Sequence, residues 1–130
     1  MKMTDFFNLT YFKPNEVLIK CKIIDKLDYN VIYFLDELRL RICKPIHILS
    51  LTGGEHEANS LHYEGKAVDF FTIADPSLVL KHALSIGFRG FGLYTNEKGV
   101  HSFHCDIREE YSFWRAVKKD GKWCYSGLLQ

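Results

Sequence analysis

Two short stretches of this sequence gather the side chains that bind metals and move protons. In Asn59-Ser60-Leu61-His62-Tyr63-Glu64-Gly65-Lys66-Ala67-Val68-Asp69-Phe70, a histidine precedes a carboxylate by seven residues. In Val100-His101-Ser102-Phe103-His104-Cys105-Asp106, two histidines stand close to a second carboxylate. Of the six histidines, His56, His62, His101 and His104 thus form two close pairs, while His47 and His82 stand apart. Imidazole and carboxylate are zinc donors, and three protein donors with a fourth position left to water make a catalytic rather than a structural site. Asp69 lies among Ala, Val and Phe, where a bare charge is costly to bury unless a cation or a set of donors meets it. Side chains alternate along a strand, so His104 and Asp106 share a face, and His104 could complete a set with His62 and Asp69. The same residue types also suit satisfied structural histidines with a loop-capping aspartate. A two-histidine, one-carboxylate count fits a non-haem iron site too, although the strands visible here are too few for the double-stranded β-helix that usually carries one.

The elements that must position these groups follow from local patterns. Val31, Leu35, Leu38 and Ile42 recur at helical spacing and predict a helix from about Asp28 to Ile42, capped by Asp28 or Asn30 and ended by Lys44-Pro45. Ile46 to Leu51 reads as a strand that stops at Thr52-Gly53-Gly54, and a polar loop from Glu55 to Gly65 leads into a strand over Lys66 to Phe71. Asp75-Pro76 supplies an N-cap and a first-turn proline for a second helix with Leu78, Val79, Ala83 and Leu84 as its apolar face and Gly87 as its stop. Strands near Phe91 to Tyr94 and Val100 to Ile107 flank the turn Asn96-Glu97-Lys98-Gly99. Asp120-Gly121 predicts a hairpin between Trp114 to Val117 and Lys122 to Tyr125. The class is α+β with a mainly antiparallel sheet. Trp114 and Trp123 read as core or cross-strand packing rather than sugar platforms, and His47, between isoleucines, as a packed histidine.

A chain of 130 residues has the length of one domain, and no repeat or linker divides it, so 1–130 is read as a single domain. Apolar residues at 47% against 25% charged place it among folded globular chains. Seventeen Lys and Arg against sixteen Asp and Glu leave a net charge of +1, without the basic surplus that a nucleic-acid or anionic-membrane partner calls for. No apolar run approaches the roughly 18 residues of a membrane helix. Asp5, Lys13 and Glu16 interrupt the start where a secretory signal needs an apolar stretch, so the chain is expected to be made in the cytoplasm without a signal peptide. Cys21, Cys43, Cys105 and Cys124 show no paired spacing and are expected to be buried, reduced thiols.

Ser60 to Phe70, SLHYEGKAVDF, resembles the SxHxxGxAxD motif of the zinc D-Ala-D-Ala carboxypeptidase family and the matching segment of hedgehog signalling domains. Tyr11 to Glu16, Phe34 to Arg39, Lys44 to Ile48, Phe91 to Tyr94 and Phe103 to Arg108 are similar to further segments of that family, so the likeness spans roughly residues 11 to 115. The resemblance implies a hedgehog/DD-peptidase-like fold and His62, Asp69 and His104 as zinc ligands. It makes Gly65 and Ala67 the small positions that let loop and strand approach the metal. It implies His101 as general base and acid, which requires a bulge or loop start to re-aim it, because an offset of three from His104 has the wrong parity. His56 matches a histidine near the zinc that would steady an oxyanion or orient substrate, and Asp106 is read either as a hydrogen-bond partner of a ligand or as a strand-end hydrogen-bond acceptor. Many peptidases of the family carry a carboxylate-binding arginine before the motif; Ser50 to His56 holds none, and Arg39, Arg41 and Arg89 are the remaining candidates considered, each more naturally a surface residue. The implied activity is zinc-dependent hydrolysis of peptide bonds in peptidoglycan stem peptides or cross-links by a phage-type enzyme, acting at the cell wall after release or as part of a virion. The alternative is a non-catalytic, zinc-containing binding or phage structural module. The scissile bond and the oligomeric state do not follow from the sequence.

Overall fold

The computed structural model describes residues 1–21, 24–52 and 60–127. Short 3-10 turns at Met3–Asn8 and Ile24–Lys26 flank α1 (Pro14–Leu18), and α2 (Tyr29–Ile42) follows. The chain continues through β1 (His47–Ser50), β2 (Ala67–Phe71), α3 (Pro76–Ile86), β3 (Gly90–Thr95), β4 (His101–Asp106), β5 (Ser112–Lys119) and β6 (Lys122–Gly127).

The helices begin and end where their capping residues dictate. The Asp28 carboxylate accepts the Asn30 backbone N–H at 2.9 Å, and that of Asp75 accepts from Ser77 at 2.9 Å, each satisfying a first-turn donor. Helix α2 stops at Ile42 because Cys43 turns into the left-handed region (φ 56°), before Lys44-Pro45 is reached. Its predicted stripe of Val31, Leu35, Leu38 and Ile42 is buried. In α3, Val79 and Ala83 are buried as expected, but Leu78 is exposed, and Leu80 and Ile86 pack against the core.

A polar residue on the buried side of α2 ties the amino-terminal segment down. Asp36 accepts the backbone N–H groups of Thr10 (2.9 Å), Tyr11 (2.8 Å) and Phe12 (3.1 Å). A carboxylate with that many donors tolerates burial, and the fully buried Phe12 ring is delivered to the core alongside.

The six strands form one sheet in the order β1-β2-β4-β3-β5-β6. Every neighbouring pair is antiparallel except β3 and β5, which pair in parallel because the segment 107–111 carries the chain past the end of β3 to its free edge. The mixed α+β class with a mostly antiparallel sheet agrees with expectation; the parallel step was not foreseen. The β5–β6 hairpin turns through Asp120 (φ 51°) and Gly121 (φ 77°), the left-handed pair that Asp-Gly favours. Cys21 and Cys105 are buried, whereas Cys43 and Cys124 are exposed, contrary to expectation.

Alternation along the strands separates two faces. Val68, Phe70, Phe91, Phe103 and Cys105 point into a core shared with Val31, Leu35 and Leu38 of α2 and Val79 and Ala83 of α3. Phe70 and Phe103 stack with centroids 5.4 Å apart, and Phe34 meets Phe88 edge to face at 5.6 Å, which fixes how the helix layer seats on the sheet. Asp69, His104, Asp106, Tyr94 and Trp114 occupy the opposite parity.

The segment from Ser60 to Gly65 is a tight turn closed by Gly65 N–H to the His62 carbonyl (3.0 Å) and Lys66 N–H to the Leu61 carbonyl (3.0 Å). Gly65 adopts φ 71°, and a β-carbon there would lie 1.8 Å from the Lys26 carbonyl oxygen. The glycine therefore lets the turn approach the segment before α2, not the metal position as the resemblance implied. Gly65→Ala combines a left-handed alanine with a backbone clash, and we expect it to lower unfolding free energy by about 3 kcal/mol, read as a shift of the urea midpoint without a change in slope.

Candidate metal centre

His62, Asp69 and His104 come together although they belong to a loop and two strands. Asp69 on β2 lies directly opposite His104 on β4, and the turn after Ser60 brings His62 over the same sheet face. The His62 Nε2 and His104 Nδ1 atoms lie 3.2 Å and 3.0 Å from Asp69 Oδ1, and one donor atom from each residue falls within 4.8 Å of the others. These three residues can hold a metal ion. Donors about 2.0 Å from a tetrahedral centre are about 3.3 Å apart, close to both separations.

The donor chemistry favours a cation. His62 Nδ1 is 2.8 Å from the Leu51 carbonyl, which can only accept, so this nitrogen carries the proton and Nε2 turns its lone pair toward Asp69. His104 Nε2–H donates to Asp106 Oδ2 at 2.7 Å, which leaves Nδ1 as the lone-pair nitrogen facing Asp69. Carboxylate and lone pairs thus converge, and acceptors so close need a positive charge between them, either a metal ion or a proton. Burial alone would raise Asp69, but its hydrogen bonds to His104 and His62 outweigh that and hold its pKa well below the usual carboxylate range. Burial alone would lower His104, whereas the carboxylates of Asp106 and Asp69 raise it.

Asp106 anchors the arrangement from beneath. It is fully buried, and it accepts from Arg108 through Nε (2.8 Å to Oδ1) and Nη2 (2.6 Å to Oδ2), as well as from the Arg108 backbone. Burial would raise this carboxyl too, but Arg108 and His104 hold it well below its ordinary value. Its space exists because β3 offers Gly90 there: a β-carbon on Gly90 would lie 2.1 Å from Asp106 Oδ1. Gly92 leaves similar space at the next position on that face of β3, where a β-carbon would meet Trp114 Nε1 at 2.5 Å. The Trp114 ring fills that trough, packs 5.1 Å from the His104 ring and donates its indole N–H to Tyr94 Oη at 2.9 Å. Burial pushes the Tyr94 phenol up to about 12, against the lowering effect of that hydrogen bond, so it is neutral at physiological pH.

The cluster opens into a cavity of about 1040 Å³ walled by Leu49, Tyr94, Arg108, Trp114, Trp123 and Tyr125 among others. This is ample for a peptide-sized ligand, since small-molecule pockets run from about 300 to 1,000 Å³. Leu49 reaches it through a bulge: Ile48 pairs with Phe70 and Ser50 with Asp69, so Leu49 is the extra residue.

No family model, curated protein or solved structure matches this chain.

The remaining predicted site residues separate. His56 lies outside the described residues. His101 does not join the cluster, and the bulge expected to re-aim it is absent: β4 holds its register against β3 from His101, opposite Thr95, to Asp106, opposite Gly90. Its offset of three from His104 puts it on the other face, where Nδ1 lies 2.9 Å from Thr95 Oγ1. The bulge beside the site is on β1 instead. His47 is exposed and stacks near Phe71 (6.4 Å) rather than packing in the core. Arg39 pairs with Glu16, Arg41 with Glu37, and Arg89 with the Glu109 carbonyl, all away from the cluster.

Sequence reading missed Arg108, Trp114 and Tyr94. Arg108 was within reach, since 104, 106 and 108 continue one period-two series. Trp114 was not, because its place depends on the unforeseen parallel pairing that sets it opposite Gly92.

Because Asp106 ionises more readily folded than unfolded, it stabilises the protein above the unfolded carboxyl value of about 3.9, and this contribution is lost as pH falls below it. We expect Asp106→Asn to cost about 2 kcal/mol at neutral pH and to show a shallower acid limb than wild type in urea midpoints measured from neutral to acid pH.

Proposed function

We propose that this protein is a zinc-dependent metallopeptidase with a hedgehog/DD-peptidase-like fold that hydrolyses amide bonds in peptidoglycan stem peptides or cross-links. The observation that carries the reading is the convergence of His62, Asp69 and His104 at the edge of a large open cavity. Among the described residues the group has three members, the number that suits a catalytic zinc. Imidazole and carboxylate donors together favour zinc over the hard cations that prefer oxygen alone. The spacing of Ser60 to Asp69 and its likeness to the SxHxxGxAxD motif support the same reading.

Zinc bound there would supply an acidified water and a polarised amide carbonyl. The chain's own residues do the positioning. The Leu51 carbonyl and the Asp106 carboxylate each accept a hydrogen bond from the one N–H of a ligand imidazole, which fixes ring orientation and tautomer and makes the facing nitrogen a better donor. Trp114 walls one side of His104 and limits water on that side. No proton transfer is assigned to His101, which faces away from the cavity.

That placement of His101, and the lack of an arginine between Ser50 and His56, favour a second reading: a zinc-containing binding or phage structural module without catalysis. In either reading a chain made in the cytoplasm would meet its partner at the cell wall after release or within a virion. No helix among the described residues is long and apolar enough to cross a membrane.

Metal analysis of protein purified without added metal should give about one zinc per chain, lost in His62→Ala and in Asp69→Ala. Digestion of purified peptidoglycan followed by mass spectrometry should reveal new amino and carboxyl termini with wild type and none with those variants. Full zinc without new termini would establish the binding module. His101→Ala should retain both zinc and cleavage; loss of cleavage with zinc intact would restore it as a proton carrier.

A further inference from the structure

Beyond Trp114 the cavity runs out over a shelf of aromatic rings on the last strands of the sheet. On the cavity face, register sets Ala116 of β5 between Tyr94 of β3 and Tyr125 of β6, and sets Lys118 opposite Trp123. Tyr94 meets the Trp123 and Tyr125 rings edge to face, with centroids 5.3 and 6.2 Å away and planes at 86° and 85°, which fixes the orientation of both. Both rings line the cavity, yet Trp123 is 38% exposed and Tyr125 60%. Cross-strand packing, the role expected of Trp123 from sequence, accounts for only part of its surface. Among the described residues no Leu, Ile or Val stands on this face of β3, β5 or β6. The shelf thus offers rings with polar tips and lacks the branched aliphatic surface on which an apolar peptide or a second protein would pack. Lys118 Nζ, 5.6 Å from the Trp123 centroid, adds a donor at its rim.

We propose that Trp123 and Tyr125 form a sugar-stacking subsite, so that this cavity takes a peptide with its glycan attached. The face of a pyranose ring carries C–H groups that suit an aromatic ring, and the hydroxyls and acetamides on its rim suit the Tyr125 hydroxyl and the Lys118 ammonium. The spacing fits such a ligand. β6 lies three strand positions from β4, and neighbouring strands are about 4.8 Å apart, which puts the shelf about 14 Å from the strand of His104. A residue of extended chain spans about 3.3 to 3.6 Å, so about four residues bridge the two. In peptidoglycan the stem peptide hangs by its amino end from an N-acetylmuramic acid ring. With that sugar on the shelf, an amide about four residues along reaches His62, Asp69 and His104. This names the substrate form of the proposed peptidase site and rests on that reading for the reaction, but not for the binding of sugar.

The probes are the wall disaccharide carrying a stem tetrapeptide, the free tetrapeptide, and the tetrapeptide with Leu-Phe in place of the disaccharide, titrated into the zinc-loaded full chain by calorimetry. Wild type should bind the glycopeptide about tenfold tighter than the free tetrapeptide, and the disaccharide alone should move the Trp123 indole N–H resonance. Trp123→Ala and Tyr125→Ala should each remove most of that advantage while leaving zinc content and free-tetrapeptide affinity unchanged. Tyr125→Phe keeps the ring and should retain most of it. Both positions are exposed, and an unchanged urea midpoint shows that the variants fold; the Trp123 resonance tests the contact in wild type without any substitution. Equal binding of glycopeptide and free tetrapeptide, an equal gain from Leu-Phe, a dimer in sedimentation that dissociates in Trp123→Ala, no saturable binding at millimolar concentration, or an undiminished advantage in both alanine variants overturns the proposal. Failure of the peptidase reading shows separately, as missing zinc or missing cleavage with the glycan preference intact.

Discussion

A carboxylate with no exposure to solvent has to be matched by donors or it unfolds what surrounds it, and Asp106 is matched on both sides. His104 donates to one oxygen, and Arg108 donates to both. The imidazole is thereby held with its other nitrogen toward Asp69, and the arginine is held at the cavity wall. Such an arrangement has little tolerance for partial satisfaction, because in a low-dielectric interior the removal of one member leaves an uncompensated charge. The side chains of the proposed site inherit their geometry from this pairing.

The pairing in turn depends on a strand that gives way. Gly90 and Gly92 of β3 lie on the same face as Asp106 and Trp114 and leave that region of the sheet without side chains of its own. Asp106 fills one of the two vacated positions and the Trp114 indole the other. Two glycines within a strand weaken it, and β3 compensates by being paired on both edges, antiparallel to β4 and parallel to β5. Phe91, between the glycines, faces the core and keeps the strand anchored from behind. A trough on one face and a packed aromatic on the other are what an alternating Gly-Phe-Gly pattern produces in the middle of a sheet.

Division of labour between the two faces explains why His101 and His104 diverge. Three residues apart on an unbroken strand, they cannot share a face. His104 goes to the cavity, and His101 goes to the side of Thr95. A histidine pair at this spacing would work as ligand and base only with an irregularity between its members. The irregularity in this sheet lies two strands away, at Leu49, where it brings a leucine into the cavity wall and leaves Ser50 opposite Asp69.

Local pattern was enough to read the helix stripe of α2, the caps at Asp28 and Asp75 and the Asp-Gly hairpin, because each depends on periodicity or on residues close in sequence, whereas the grouping of His62 and Asp69 with His104 was implied by the likeness to the family motif. Local pattern was also enough to place Asp106 beside His104, two residues away on one strand. What lay beyond it were contacts set by strand order and register. The parallel pairing of β3 with β5 puts Trp114 against His104 and Tyr94, and the burial of Asp36 collects N–H groups from a segment 24 to 26 residues away. The sequence by itself determined which residues could serve as donors and on which side of their own strand they stand, since side-chain parity is a property of the backbone. Only the tertiary structure decided which of them meet: His62 with Asp69 and His104, Arg108 as the cation of the cavity, and His101 apart from it. Those meetings rest on the register between strands distant in the chain, which is settled by packing of the whole core and not by any one segment.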